Sequence, residues 1–328
     1  MTNLLSYHEP KEVAEALVLQ TPTTDPVADM DPVLIEGPSR DQRWDVWDQF
    51  KTHKGALAGA AVFFLIVVGV LFVPFVWRVS PTYIDFTTMN AGPSWGHPLG
   101  TDQLGRDLLA RMMTGGRISI AVGLTAMVIS ICIGTLVGVL TGYFKSLDGP
   151  LMRLTELCLS LPVLPLLLVA VMLFRDAVAS VLGPDLGSFI LIVSIIGVMS
   201  WMGTARIVRG EVLAVKQREF VLASRSIGTP PHRIIFRHVL PNVMSPIIVS
   251  ATLGIADAII TESVLSFLGL GFPPDFPTWG RLLYDGMGQM QVYPQLVLWP
   301  GIAISLTVLS VAYIGDGLRD ALDPRLRR

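Results

Sequence analysis

Glu219-Phe220-Val221-Leu222-Ala223-Ser224-Arg225-Ser226-Ile227-Gly228, running on to His238-Val239-Leu240-Pro241, is a helix-length stretch set between long apolar runs. Around it, residues 206–237 carry Arg206, Arg209, Lys216, Arg218, Arg225, Arg233 and Arg237 against Glu211 and Glu219. Residues 207–240 are too polar to cross hydrocarbon, where each charged side chain costs roughly 2.5–3.5 kcal/mol even on the mildest scale. Residues 212–227 are rich in Ala, Leu, Glu, Lys and Arg, which predicts a helix. Gly228 stops it, as a glycine after the last turn does. Thr229-Pro230-Pro231 reads as a turn or restart, and a second short helix is expected over 232–239. Ala223 and Ser224 leave one face of the first helix without bulk, which lets another protein's backbone approach. Taken alone, the pattern fits equally well an amphipathic connector lying on lipid headgroups.

The rest of the chain says what surrounds this segment. The 328 residues are 52% hydrophobic and 15% charged, against about 25% charged in soluble domains. A single soluble core cannot absorb that surplus, and the apolar residues are grouped. A span needs about 20 mostly apolar residues, and six such runs occur, at about 55–77, 117–143, 151–174, 187–206, 242–268 and 296–315. The expected fold class is an all-α membrane protein with six transmembrane helices. Cys132 and Cys158 both lie inside apolar runs; no disulfide framework and no metal site is expected.

Lys and Arg in short loops set orientation. Residues 206–237, Lys51 and Lys54 before the first run, Lys145 and Arg153 between the second and third, and Arg319, Arg325, Arg327 and Arg328 at the end all fall on one side. Both termini are therefore expected in the cytoplasm. Loops at 175–186 and 269–295 face outward with one Arg each, Arg175 and Arg281. The first outer loop, 78–116, fits less well because it holds Arg78, Arg106 and Arg111. Residues 1–54 show no cleavable signal peptide. They read as a cytoplasmic tail, disordered where Pro, Asp and Thr dominate, with an interfacial helix over 42–53 whose Trp residues suit the headgroup region. Residues 55–328 form the transmembrane domain.

No Gly-x4-Gly-Lys-Ser/Thr phosphate loop occurs, so an ATPase, if one powers this protein, is a separate chain. Neither His-Glu-x-x-His nor a Gly-x-Ser-x-Gly elbow appears in a span, and no catalytic residue is expected. A secondary transporter would need paired intramembrane carboxylates or broken helices at the midplane, and no internal repeat is evident.

The 219–241 stretch resembles the loop by which membrane subunits of bacterial ABC importers grip their ATPases. That pattern is Glu-Ala-Ala, three residues, Gly, nine residues, Ile, one residue, Leu-Pro. Ala223, Gly228, Leu240 and Pro241 match it; Leu222 replaces the Glu, Ser224 the second Ala and His238 the Ile. The resemblance implies that Glu219, Leu222, Ala223, Ser224, Arg225, Gly228, Leu240 and Pro241 couple to an ATPase. With Leu222 in place of Glu the contact should be apolar, with Arg225 or Glu219 supplying charge. His97 to Asp107 (HPLGTDQLGRD), Leu265 to Gly271 (LSFLGLG), Thr278-Trp279-Gly280 and Gly315 to Arg325 (GDGLRDALDPR) are similar to signatures of the second, C-type permease of dipeptide/oligopeptide importers. These are binding-protein-dependent transport system inner membrane components, and the match covers about residues 50–328. It implies a type I ABC importer permease fold and a heterodimer with a paralogous permease. It also implies two cytosolic ATPases that bind ATP and Mg, and an extracytoplasmic peptide-binding protein. Nickel and glutathione importers share the branch.

The remaining polar residues carry weaker expectations. The 100–107 motif suits a tight loop held by local side-chain hydrogen bonds; Asp102, Arg106, Asp107 and Trp279 are candidates for contact with the binding protein. Asp257, Thr261 and Glu262 make the fifth run the most polar and are candidates for lining the path, although Glu262 fits a buried hydrogen bond to the partner subunit equally well. Glu156 is expected to pair with Arg153. Asp316, Arg319, Asp320 and Asp323 are spaced for exposed pairs. Gly134, Gly138 and Gly142 form a small-xxx-small series suited to close helix packing.

Overall fold

The computed structural model describes residues 42–322, with side chains from 46 onward. The expected disordered stretch and the last part of the C-terminal motif, Asp323 included, lie outside the described residues. Short helix α1 (Gln42–Thr52) leads into α2 (Lys54–Val76), and a connection over 77–107 precedes α3 (Leu108–Tyr143). Then come α4 (Lys145–Ser160), α5 (Val163–Leu182), α6 (Pro184–Val215), α7 (Glu219–Ser226), α8 (Pro231–Ile234) and α9 (Leu240–Asn242). The chain continues with α10 (Met244–Phe267), α11 (Trp279–Met287) and α12 (Gln295–Leu322). Among the described residues α2, α3, α5, α6, α10 and α12 are the six helices long and apolar enough to cross a membrane. No strand occurs among them, only an isolated bridge between Thr101 and Asp107.

Close approach of α3 and α6 organises the bundle. A Cβ placed on Gly134, Gly138 or Gly142 would lie 2.8 Å from the Trp201 carbonyl, 2.7 Å from the Ala205 carbonyl and 2.6 Å from Val212 Cβ, respectively. The small-residue series therefore serves packing within the chain, where hydrocarbon offers no hydrophobic drive and van der Waals contact has to hold helices together. α10 meets the same α3 at Gly123, against Ile259. On the other flank, Gly59 of α2 packs on Ser310 and Tyr313 of α12, and Gly317 of α12 packs on Ala56 and Phe50. Thus α1 rests on the end of α12 through Phe50 and Ala321, with Trp47 exposed.

Several expectations need correction. The third span starts at Val163, not 151. Residues 151–160 belong to α4, a separate amphipathic helix, and Pro162 pushes Leu161 out of the helical region. The outer segment 175–186 is almost wholly helical, since α5 ends at Leu182 and α6 restarts at Pro184 after a single Gly183 at φ +82°. The first outer loop ends at 107, which places Arg111, Met112 and Met113 inside α3. The helix expected over 212–227 is two helices: α6 runs to Val215, a turn occupies 216–218, and α7 begins at Glu219. Arg153 and Glu156 do not pair. Instead Asp148 of α4 takes a bidentate bond from Arg209, with Nε to Oδ1 at 2.6 Å and Nη2 to Oδ2 at 2.8 Å. Asp320 lies 3.7 Å from His53 rather than beside Arg319.

Of the arginines that fit the charge rule badly, Arg106 and Arg111 are absorbed internally, while Arg78 is exposed and donates to the nearby Phe75 carbonyl. Arg117 donates to the carbonyls of Val70 and Leu71. Arg175 donates to those of Leu270 and Gly271. Arg106, Arg111 and Arg281 sit in ion pairs with Asp102 and Asp285.

Candidate functional sites at the two ends of the bundle

At one end the 216–243 connection forms a small platform. Val221 is the one buried residue of α7. It enters a cluster with Val208, Val212 and Val215 of α6, Ile234 and Val239 of the connection, and Val243 and Ile247 at the base of α10. Branched, stiff side chains thus join α7 to the ends of two spans. Most of the rest of α7 is unpartnered: Leu222 is 49% and the following Ile227 82% exposed, Ala223 is exposed between them, and Arg225 is exposed one turn after Val221. Glu219 lies in the first turn and Arg225 in the last, each at the helix end its charge favours. Gly228 adopts φ +79°, and no atom lies within 4 Å of the place a Cβ would take. The residue is therefore set by its backbone, the left-handed conformation that ends a helix on glycine, and not by crowding.

Leu240-Pro241 has a specific structural consequence. Residues 235–239 form a π-turn, and the Leu240 N–H reaches back to the Ile235 carbonyl. Pro241 cannot donate and its ring crowds the preceding turn; the wider turn just before it relieves that clash. Turns of this kind concentrate at functional sites. Lys216 Nζ donates to the Gly142 carbonyl at 2.6 Å, tying the platform to the end of α3. Of the two small residues expected to leave one face of the helix without bulk, Ala223 is exposed and Ser224 half-buried; Val221 and the valine cluster beneath it, whose spacing runs across two helices, give no such local sign.

At the other end, the HPLGTDQLGRD motif folds into a knot. Asp102 Oδ1 accepts from the backbone N–H groups of Leu104 and Arg106, each at 2.9 Å. Its Oδ2 accepts from Arg106 Nε at 2.7 Å and Arg111 Nη1 at 2.5 Å. Asp107 caps α3 by accepting from the Ala110 N–H at 2.7 Å; it also accepts from Trp77 Nε1 at 3.1 Å and faces His97 Nδ1 at 2.8 Å. Arg111, 1% exposed, continues to Asp285 of α11 at 3.0 Å, which also meets Arg281 at 3.0 Å. Trp279 donates from Nε1 to the Met112 carbonyl at 3.0 Å.

The expectation of a direct binding-protein contact at this knot is corrected by burial. Asp102, Arg106, Asp107 and Trp279 are all buried. Their side chains lock α11 to α3 and to the preceding loop, and offer no surface to a second protein.

The path candidates also separate. Glu262 is fully buried; it accepts from Ser266 Oγ at 2.7 Å and Ser119 Oγ at 3.2 Å, and Ser119 Oγ in turn accepts from the Trp279 N–H at 3.2 Å. Its bonds are made inside the chain, bracing α10, α3 and the start of α11, in place of the wall position or partner-subunit bond expected for it. Asp257 is exposed and Thr261 half-buried; the Thr261 hydroxyl donates to the Asp257 carbonyl at 2.7 Å.

Comparison with known proteins agrees with this architecture. The profile of the binding-protein-dependent transport system inner membrane component family matches residues 130–328. That of the N-terminal TM domain of oligopeptide transport permease C matches residues 42–93. The dipeptide transport system permease protein DppC of Bacillus subtilis is 39% identical over 296 residues, covering 90% of this chain and 89% of that protein. The oligopeptide transport system permease protein OppC of Haemophilus influenzae is 38% identical over 305 residues, 92% of this chain and 94% of that one. The glutathione transport system permease protein GsiD of Pectobacterium atrosepticum is 35% identical over 298 residues, covering 90% and 95%. A chain of the MetNI methionine ABC transporter, solved in inward-facing conformations, shares the fold with TM-score 0.51 at 16% identity, over 64% of this chain and 95% of that one. Six apolar spans, the type I importer fold and these matches make the chain a multi-pass inner-membrane protein that belongs to the binding-protein-dependent transport system inner membrane component family.

Proposed function

We propose that the chain is a membrane-spanning subunit of an ATP-driven importer that carries peptides across the cytoplasmic membrane by alternating access. The observation that carries the substrate class is the similarity to dipeptide and oligopeptide permeases over about nine-tenths of both chains. The proposed assembly contains a paralogous permease, two cytosolic ATPase subunits that bind ATP and Mg, and an extracytoplasmic binding protein that delivers the peptide. The end carrying α7 faces the cytoplasm.

The unpartnered face of α7 supports coupling there. Leu222, Ala223 and Ile227 present an apolar, low-relief ridge suited to a groove on an ATPase. Closure of the ATPases on ATP would displace α7, and Val221 would pass the displacement to α6 and α10. Glu219, Ser224, Arg225, Gly228, Leu240 and Pro241 set the charge and end point of that ridge and its connection to α10. The chain performs no chemistry of its own.

A second reading has one observation in its favour: the similarity to a glutathione permease. Glutathione is itself a small peptide, and the same machinery would serve. Uptake of radiolabelled dipeptides and of glutathione by cells expressing the complete system, against cells lacking only this chain, decides the matter. Dipeptide uptake lost without this chain supports the proposal; loss confined to glutathione replaces it.

A further inference from the structure

A groove of about 870 Å³ enters the bundle at the α7 end, between α6, α10 and the end of α12. Its lining is mixed: Glu211, Arg218, Arg319, Asn242, Ser245 and Ser250 stand among apolar residues such as Phe220 and Leu322. Along α10 the lining steps through Ser245, Val249 and Leu253, the four-residue spacing of one helix face. That face continues beyond the groove to Asp257 and Ile260, both exposed, while Ala256, Ala258 and Ile259 beside them are buried. Asp257 stands one turn past Leu253, about 6 Å along the helix. On α6 the same continuation runs from Glu211 and Ile207 to Gly203 and Ser200, both exposed.

The Asp257 carboxylate accepts no hydrogen bond and makes no ion pair among the described residues. Glu262, five positions on, is fully buried and doubly bonded. A carboxylate inside a span with no internal partner is held against a watery cavity or an external cation, because lipid does not tolerate it. The groove with its charged mouth lies on the same helix face, one turn away from it.

We infer that Asp257 is the anionic contact for the α-ammonium group of a peptide in transit, a specificity-determining residue on the wall of the path. The assignment rests on the reading of this chain as a peptide permease. The terminal ammonium is common to peptides of every sequence, so one carboxylate serves all of them without side-chain readout. The groove falls within the roughly 300–1,000 Å³ typical of small-molecule sites. Arg218 and Arg319 line the groove beside Glu211, so a zwitterionic peptide moving along this face meets both signs of charge.

The test uses the complete complex in proteoliposomes, with partner permease, ATPases and binding protein, and compares wild type with Asp257→Asn and Asp257→Glu. Uptake of a free dipeptide at subsaturating concentration is measured, together with co-purification of the partner permease. The assignment predicts normal assembly for both variants. Uptake by Asp257→Asn falls about tenfold, the size expected when a charge-assisted hydrogen bond is lost, and Asp257→Glu restores most of it. Wild-type uptake by Asp257→Asn overturns the assignment. Loss of the partner permease from Asp257→Asn overturns it too, in favour of an intersubunit ion pair. A wild-type complex that imports glutathione but no dipeptide overturns the peptide reading itself, and is distinguished from the other outcomes by needing no variant.

Discussion

Arg117 on α3 donates through Nε to the backbone carbonyl of Val70 on α2 at 2.6 Å. That carbonyl is the acceptor left open four residues before Pro74, which has no N–H to offer it. Within a span such a group has no water to turn to. Arg117→Ala should therefore lower the stability of the purified complex by about 1–3 kcal/mol, the cost of one unsatisfied buried acceptor. Thermal unfolding in detergent measures it. Adding Pro74→Ala to the same chain should recover most of the loss, because the helix then satisfies Val70 itself.

The cluster of Asp102, Arg106, Arg111, Asp285 and Arg281 should behave as a unit. Asp285→Ala leaves Arg111 buried with one carboxylate fewer, and breaking a buried pair in this way costs about 3–5 kcal/mol. Arg111→Met combined with Asp285→Leu should cost less than Asp285→Ala alone. Denaturation of the single and double variants checks the order; a double variant worse than the single one would contradict the cluster as drawn.

Asp148 gives a pH signature. The hydrogen bonds from Arg209 hold its carboxyl below the ordinary aspartate value of 3.8. A carboxyl whose folded pKa is depressed contributes stability above its unfolded pKa and loses it as pH falls through the folded value. The gap in melting temperature between wild type and Asp148→Asn should be constant from neutral pH down to about 5, narrow below the ordinary aspartate range and close at lower pH. A gap independent of pH across that window would show that the Arg209 contact does not depend on the charge of Asp148.

Much of this architecture can be read from the residues, for identifiable reasons. Six apolar runs, the polar stretch after the fourth, the glycine stop at Gly228 and the 134–138–142 series are local patterns, and local patterns survive folding. Three features escape. The start of the third span is hidden because Leu151, Leu154 and Leu157 of α4 run into the leucines after Pro162, and the charges of Asp148, Arg153 and Glu156 are the sole sign of a separate helix. The break at 216–218 falls inside a stretch of good helix formers, where propensity is flat and the packing of Val221 against α6 is not visible in local sequence. The local hydrogen bonds of the 100–107 loop are legible in the motif, but the burial of Asp102, Arg106, Asp107 and Trp279 depends on Asp285, Met112 and Trp77, each far away in sequence from the residue it contacts, so a loop that leaves room for a binding-protein contact is an internal lock.

Transport in this scheme depends on the ATPases gripping the exposed ridge of α7. Ala223 is exposed on that ridge and contributes nothing to the valine cluster beneath it, so Ala223→Trp adds bulk to the docking face and leaves the bundle intact. Co-purification of the ATPase subunits through a tag on this chain is the direct measurement. Ala223→Trp is expected to reach the membrane at wild-type level, retain the partner permease and lose the ATPases. Full retention of the ATPases with normal peptide uptake would contradict the docking role and leave α7 a connector.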